Sequence, residues 1–140
     1  MLKKLFFICA LFAAAGSAFA DNNVTLEVNG VIVQGGPVYT AVYTNENDYK
    51  AETAFIRFIL DPVNSSITRN FELPDGEYVV SVFQDINSNG KLDTNFFGIP
   101  RELVGITNYS GRGIPGSFHK LKVPVNNYST RIIVNMGNIR

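Results

Sequence analysis

Between its turn signals this chain alternates apolar and polar residues with a period of two, and that pattern admits strands while excluding amphipathic helices. Val24-Thr25-Leu26-Glu27-Val28 puts Val24, Leu26 and Val28 on one face. Val38 to Thr44 is rich in β-branched and aromatic residues, which favour a pleated, half-buried surface. In Phe55 to Leu60, Arg57 implies that Ile56, Phe58 and Leu60 point inward. Ile67, Phe71 and Leu73 share a face of the next segment, and Ile132, Val134 and Met136 share a face of Arg131 to Met136. Glu77 to Gln84 and Phe118 to Val123 read as further strands. Gly35-Gly36-Pro37, Asn45-Glu46-Asn47-Asp48, Asp61-Pro62, Pro74-Asp75-Gly76 and Asn126-Asn127 punctuate them. Only Asn47 to Thr53 has room for a helical turn. The expectation is an all-β fold: an antiparallel Greek-key β-sandwich of about seven strands, with a small closed barrel as the alternative.

The first twenty residues stand outside this rhythm. Lys3 and Lys4 precede an apolar run from Leu5 to Ala15, and Ala18-Phe19-Ala20 has the small-x-small form of a cleavage site. The run is short for a membrane span. Residues 1–20 are therefore expected to be a signal peptide, and residues 21–140 a single domain in the periplasm or outside the cell. The only cysteine, Cys9, lies within the apolar run. A processed chain would carry no disulfide and no thiol nucleophile, and would depend on its core. Without Lys3 and Lys4, ten basic residues face twelve acidic ones. That balance argues against nucleic acid, which calls for a clustered basic face. No transmembrane segment is expected in the processed chain.

One stretch breaks the strand–turn alternation. Residues 85–116 are rich in Asn, Gly, Asp and Pro, and a connection this long in a small domain is usually functional or disordered. Phe96, Phe97, Ile99, Leu103, Val104 and Ile106 imply that it folds onto the sandwich. It opens with D-x-N-x-N-G-x-x-D. Asp85, Asn87, Asn89 and Asp93 match positions 1, 3, 5 and 9 of a calcium loop. Gly90 falls where the loop must turn sharply, and Lys91 where a backbone carbonyl is the ligand. Position 12 is Phe96 rather than the bidentate Glu, and a strand precedes the loop instead of a helix. Glu102 is the best nearby source of the missing carboxylate. The expected site is therefore Asp85, Asn87, Asn89, the Lys91 carbonyl, Asp93 and Glu102, with calcium as the cofactor. Without Glu102 only Asp85 and Asp93 would neutralise the ion, and affinity should then be about 0.1–1 mM, as in extracellular modules. The bland alternative is a metal-free hydrogen-bonded turn, since Asp, Asn and Gly make turns on their own account.

At these residues the chain resembles DUF2141, a family of bacterial secreted proteins. The resemblance runs through Leu73-Pro74-Asp75-Gly76-Glu77-Tyr78, then Asp85 to Asn95, Gly98-Ile99-Pro100-Arg101-Glu102 and Gly105-Ile106-Thr107-Asn108, and more loosely to Pro115-Gly116-Ser117-Phe118. Gln84 stands where the family pattern has His, and Ile106-Thr107 where it has Phe-Ser. The resemblance implies a β-sandwich in the periplasm or outside the cell and brings no activity with it. The loop is also similar, more loosely, to those of Cna-B-type adhesin stalk domains.

Catalytic candidates are sparse. His119, the only histidine, would need Ser117 or Ser110 and a carboxylate beside it to form a triad. Glu102 with Asp85 or Asp93 would mimic a glycosidase pair, but ion ligation accounts for the same carboxylates. Gly111-Arg112-Gly113 lacks the Lys and Ser/Thr of a phosphate loop. Tyr39, Tyr43 and Tyr49 read as exposed aromatics that would offer sugar-binding rings, although strands use tyrosine for packing too. The expected function is a non-enzymatic, calcium-stabilised binding module of the cell envelope, with a protein or glycan ligand. A calcium-dependent hydrolase at the same loop is the alternative, and a plain structural stalk ranks third.

Overall fold

A computed structural model describes residues 21–127 and 129–140. Among them the strands are β1 (Asn22–Asn29), β2 (Val38–Tyr43), β3 (Ile56–Leu60), β4 (Ser66–Leu73), β5 (Gly76–Gln84), β6 (Val104–Ile106), β7 (Val123–Val125) and β8 (Ser129–Asn135). Two short helices join them, α1 (Glu46–Lys50) and α2 (Phe118–Leu121). No described helix is long and apolar enough to cross a membrane. The expected signal peptide lies outside the described residues.

The strands form two sheets. One is ordered β4-β1-β8. There β1 runs antiparallel to β4, with Leu26 opposite Arg69, and parallel to β8, with Leu26 opposite Ile132. The other is ordered β3-β2-β5-β6. β7 joins it by pairing with the first residues of β5, Gly76 to Tyr78, while β6 pairs with Ser81 to Phe83. The fold is thus all-β and mostly antiparallel, with eight strands and one parallel pair. The period-two faces named from the sequence meet between the sheets. Val24, Leu26 and Val28 pack with Ile132, Val134, Val38, Val42, Leu60, Val80 and Val82. Each such side chain contributes about 1.5–3 kcal/mol when fully buried, so a core of this kind needs no disulfide.

Two expectations for the second half need correcting. Phe118 to Val123 is not a strand. Phe118 and Leu121 are three residues apart, so a helical turn puts both on one face, where they are buried. They pack with Tyr43 and Val79 on the outer face of the larger sheet. The following strand, β7, tolerates Pro124 because it lies at the edge. β5 is accordingly buried on both faces from Tyr78 to Val80. The long segment after β5 also holds a strand, β6, whose three residues are too few to show a period. Val104 of β6 exchanges both backbone hydrogen bonds with Gly137, at 3.0 and 2.9 Å, tying the edges of the two sheets together.

Candidate functional site

The loop leaves the core at Gln84, whose side chain is fully buried. Its Nε2 donates to the carbonyls of Ile32 at 2.8 Å and Gly36 at 3.0 Å, and its Oε1 accepts from the Ile32 amide at 2.9 Å. A side chain with a donor and an acceptor thus clasps the 32–36 turn to the end of β5. Next, the Asp85 amide donates to the Pro37 carbonyl at 2.9 Å. Gly36, at φ +99°, makes this approach possible, because a Cβ there would stand 2.0 Å from the Asp85 carbonyl oxygen.

The Asp85 side chain is completely buried. Oδ1 accepts the Asn89 amide at 3.1 Å and Oδ2 the Gly90 amide at 2.7 Å. The chain can fold back on Asp85 because Ser88 and Gly90 take left-handed backbone, at φ +55° and +79°. The amides of Asn87 and Asn89 then turn onto one carboxylate, Asp93. Asn89 Nδ2 reaches both its oxygens, at 3.0 and 2.8 Å, and Asn87 Nδ2 donates to Oδ2. These bonds, from Asn87 first and Asn89 second, hold the Asp93 carboxyl below its ordinary value, with help from the Lys91 and Arg101 charges.

Glu102 closes the loop from outside the motif. It is 5% exposed. Oε1 accepts the Ile86 amide at 2.9 Å and Oε2 the Asp93 amide at 3.1 Å. One carboxylate therefore bridges the two ends of the loop. Residues 85, 87, 89, 93 and 102 are all drawn into this one network, with the Lys91 amide bound to Asn89 Oδ1 at 3.1 Å.

The electrostatics of this arrangement are one-sided. Three carboxylates share the loop, two of them buried, and none is in an ion pair among the described residues. Asp85 and Glu102 are answered only by N–H groups, and Asp93 by N–H groups with the Lys91 and Arg101 charges; a buried carboxylate without a counter-charge is costly. All the side-chain donors to a cation here are oxygens, the set that suits calcium and not zinc. Among the described residues no three His, Cys, Asp or Glu side chains are grouped so as to hold a metal ion. A cation held here would have to draw on the Asn87 and Asn89 oxygens and the Lys91 carbonyl as well. Each Asp85 and Glu102 oxygen accepts one N–H and retains a second lone pair for an ion, whereas Asp93 Oδ2 already accepts from both Asn87 and Asn89.

Beyond the motif, the segment forms a small ribbon. Thr94 bridges Pro100, the Arg101 amide donates to the Asp93 carbonyl at 2.8 Å, and the Asn95 amide to the Ile99 carbonyl at 2.8 Å. Asn95 Oδ1 accepts the amides of Phe97 and Ile99, at 2.9 and 3.0 Å. Phe96 and Phe97 lie at the tip of this turn, 96% and 82% exposed, with their rings edge-on at 5.5 Å. They do not pack on the sandwich as the sequence implied. Val104 does, buried, with Leu103 and Ile106 half-buried beside it.

A cleft of about 830 Å³ lies on the outer face of the larger sheet, beyond the part that α2 covers. Tyr39, Arg57, Ile59, Ser81 and Phe83 line its floor, and Gly90, Lys91 and Leu92 of the loop line its rim. Tyr39 and Phe83 are cross-strand partners, stacked at 5.1 Å. Of the three tyrosines considered for sugar contact, Tyr43 is buried, edge-on to Tyr49 at 5.4 Å. Tyr39 and Tyr49 are half-buried. His119 is exposed on α2, and Ser110, Ser117 and Arg112 are exposed at turns.

Sequence reasoning overlooked Gln84 and Asn95 as parts of this site. A buried amide at a strand end and an Asn two residues past the motif are the signals that were available. Compared with known proteins, residues 26–133 match the model of a family described as "Uncharacterized protein conserved in bacteria (DUF2141)". No curated protein and no solved structure matches the chain.

Proposed function

The chain belongs to the DUF2141 family, and we propose that it is an exported, non-enzymatic β-sandwich binding module whose loop takes up calcium. One observation carries this reading: Asp85, Asp93 and Glu102 meet in one hydrogen-bonded network with no cationic side chain paired to them. The shell would be Asp85, Asn87, Asn89, the Lys91 carbonyl, Asp93 and Glu102. Asn87 and Asn89 now aim Nδ2 at Asp93. To ligate an ion, each amide rotates to present Oδ1, and the ion takes over the role of the two N–H donors.

The ion's work is structural. It fastens residues 85–93 to Glu102 and so fixes Gly90 to Leu92, the rim of the cleft on the larger sheet. That cleft, with its stacked Tyr39 and Phe83 and the polar Arg57 and Ser81, is where a protein or glycan ligand is held. A hydrolase built on this loop needs an accessible acid or base beside the ion. Glu102 is buried with both oxygens occupied, and His119 belongs to α2, which packs on α1. Both observations favour the non-enzymatic reading.

Thermal unfolding in calcium and in chelator tests the proposal. At tenfold excess over Kd, binding stabilises by about 1.4 kcal/mol, which raises Tm by about 4–8 °C in a domain of this size. Asp85→Ala abolishes the shift and Asp48→Ala leaves it. Equal midpoints for the wild type in millimolar calcium and in chelator would end the calcium reading.

A further inference from the structure

We propose that the cleft on the outer face of the larger sheet binds a glycan whose sugars carry carboxylates, of the hexuronate class; this rests on the reading of the cleft as a ligand site and stands apart from calcium. Strand register builds the floor. Tyr39 lies opposite both Ile59 and Phe83, and Ala41 opposite both Arg57 and Ser81. These residues are two apart on each strand, so all six share one face. The floor is thus an apolar row, Ile59-Tyr39-Phe83, beside a row in which the Ala41 methyl lies between a guanidinium and a hydroxyl. The volume of about 830 Å³ falls in the range of ligand sites, about 300–1,000 Å³.

Charge decides the sign of the ligand. The Tyr39 and Phe83 ring planes are 9° apart and their centroids 5.1 Å apart, close to the spacing of about 4.8 Å between neighbouring strands. Rings lying flat on the sheet could not come so near, so both stand up from it and turn their edges to the cleft. A ring edge is the positive end of the aromatic quadrupole. Arg57 on the floor and Lys91 on the rim are both exposed, and neither is in an ion pair among the described residues. Arg57 Nη2 donates to the Glu52 carbonyl, which fixes the guanidinium and leaves its other N–H groups for a ligand. Lys91 is placed by the Gly90 amide on Asp85, at 2.7 Å, and its own amide on Asn89, at 3.1 Å. A ligand carboxylate complements this set.

Glu52 separates a glycan from other anions. It is the one carboxylate lining the cleft among the described residues. A bare anion is repelled by it, whereas sugar hydroxyls donate to it. Its backbone is left-handed, at φ +55°, just past the α1 cap Ala51, where glycine usually stands. A non-glycine residue in that conformation is uncommon, and such residues cluster at ligand sites. Here it presents a carboxylate to the cleft and a carbonyl to Arg57. An extended peptide, by contrast, is recognised along a free strand edge. The middle strand of the floor, β2, is paired on both sides, with β3 and β5, so it offers side chains and no backbone.

Calorimetric titration of the protein in chelator with tetragalacturonate and with its methyl ester tests this. The ester keeps the sugar rings and masks the charge. The acid should bind, and the ester at least about tenfold more weakly. Lys91→Gln and Arg57→Gln should each weaken binding of the acid at least about tenfold, the first with an unchanged Tm, and Lys120→Gln on α2 should leave it as it was. Equal binding of acid and ester overturns the proposal, as does binding of the acid that survives both cleft substitutions. Binding of neutral chitotetraose or of an acidic peptide in place of the acid, with amide shifts at Tyr39, Ala41 and Lys91, also overturns it and leaves the cleft reading standing. No binding of any of these probes removes the cleft reading and the proposal together.

Discussion

The base and the tip of one loop treat side chains in opposite ways. At the base, Asp85, Glu102 and Gln84 are buried. At the tip, eleven and twelve residues on from Asp85, Phe96 and Phe97 stand in solvent. Neither end follows the hydrophobic pattern that builds the sandwich, where Leu26 and Val80 are inside and Arg57 is outside. The contrast teaches that this segment is not shaped by the core. Its base is held by hydrogen bonds to backbone and its tip by a self-contained turn. Departures from local rules concentrate where a protein does something other than fold.

Substitutions can break the contrast from either end. The largest effect is expected at the base. Asp85→Ala strands the Asn89 and Gly90 amides and removes a charge-assisted acceptor, a loss of about 2–4 kcal/mol in denaturant unfolding. A matched pair of glycines comes next. Gly36→Ala drives a Cβ to 2.0 Å from the Asp85 carbonyl oxygen, against the backbone of Asp85 and Ile86. Gly98→Ala meets nothing within 4 Å and suffers only from its φ of +76°. We expect about 2 kcal/mol for Gly36→Ala and about 1 kcal/mol for Gly98→Ala. Equal costs would show that base and tip are not held differently.

At the tip itself, Phe96→Ser and Phe97→Ser should each change stability by less than about 0.5 kcal/mol, since exposed side chains have little native packing to lose. A loss of about 3 kcal/mol, the cost of emptying a core site, would place the rings inside after all. The smallest effect is away from the loop. Glu46 holds Lys50 at 3.0 Å and accepts the Phe118 amide at 2.7 Å, so it links α1 to the start of α2. The Lys50 hydrogen bond chiefly depresses its carboxyl; burial opposes this, and the Phe118 bond and the Lys50 charge add to the depression. Because the folded value lies below the unfolded one, this support is complete above about pH 4.3 and fades as pH falls through the folded value. The Tm difference between wild type and Glu46→Gln should therefore shrink from pH 7 to pH 3.

What the residues disclosed in advance follows the same division. The sandwich was legible because Val24, Leu26 and Val28, or Ile132 and Val134, repeat a period that only a two-faced sheet satisfies. The Asp85 to Asp93 spacing was legible because side chains two apart in a tight turn converge. Glu102 was reachable by elimination, as the one further carboxylate in the segment. Phe118 to Leu121 was misread because four residues with two apolar ends suit a strand or one helical turn equally. The exposure of Phe96 and Phe97 was not legible. Aromatic residues in a long loop normally go inward, and what reverses this is the Asn95 turn, whose hydrogen bonds appear only in three dimensions. Tyr43 was misjudged for a related reason: α2, which covers it, had been read as a strand.

Calcium at the base is the centre of this account, and backbone amide NMR during a calcium titration tests it most directly. The Gly90 and Asn89 amides on Asp85, the Ile86 and Asp93 amides on Glu102, and the Asn87 and Asn89 side-chain amides should shift together. They should report a single Kd of about 0.1–1 mM, while Leu26 and Val80 in the core stay still. An unchanged spectrum at about ten times that concentration, or shifts spread evenly over acidic residues across the surface, would contradict it.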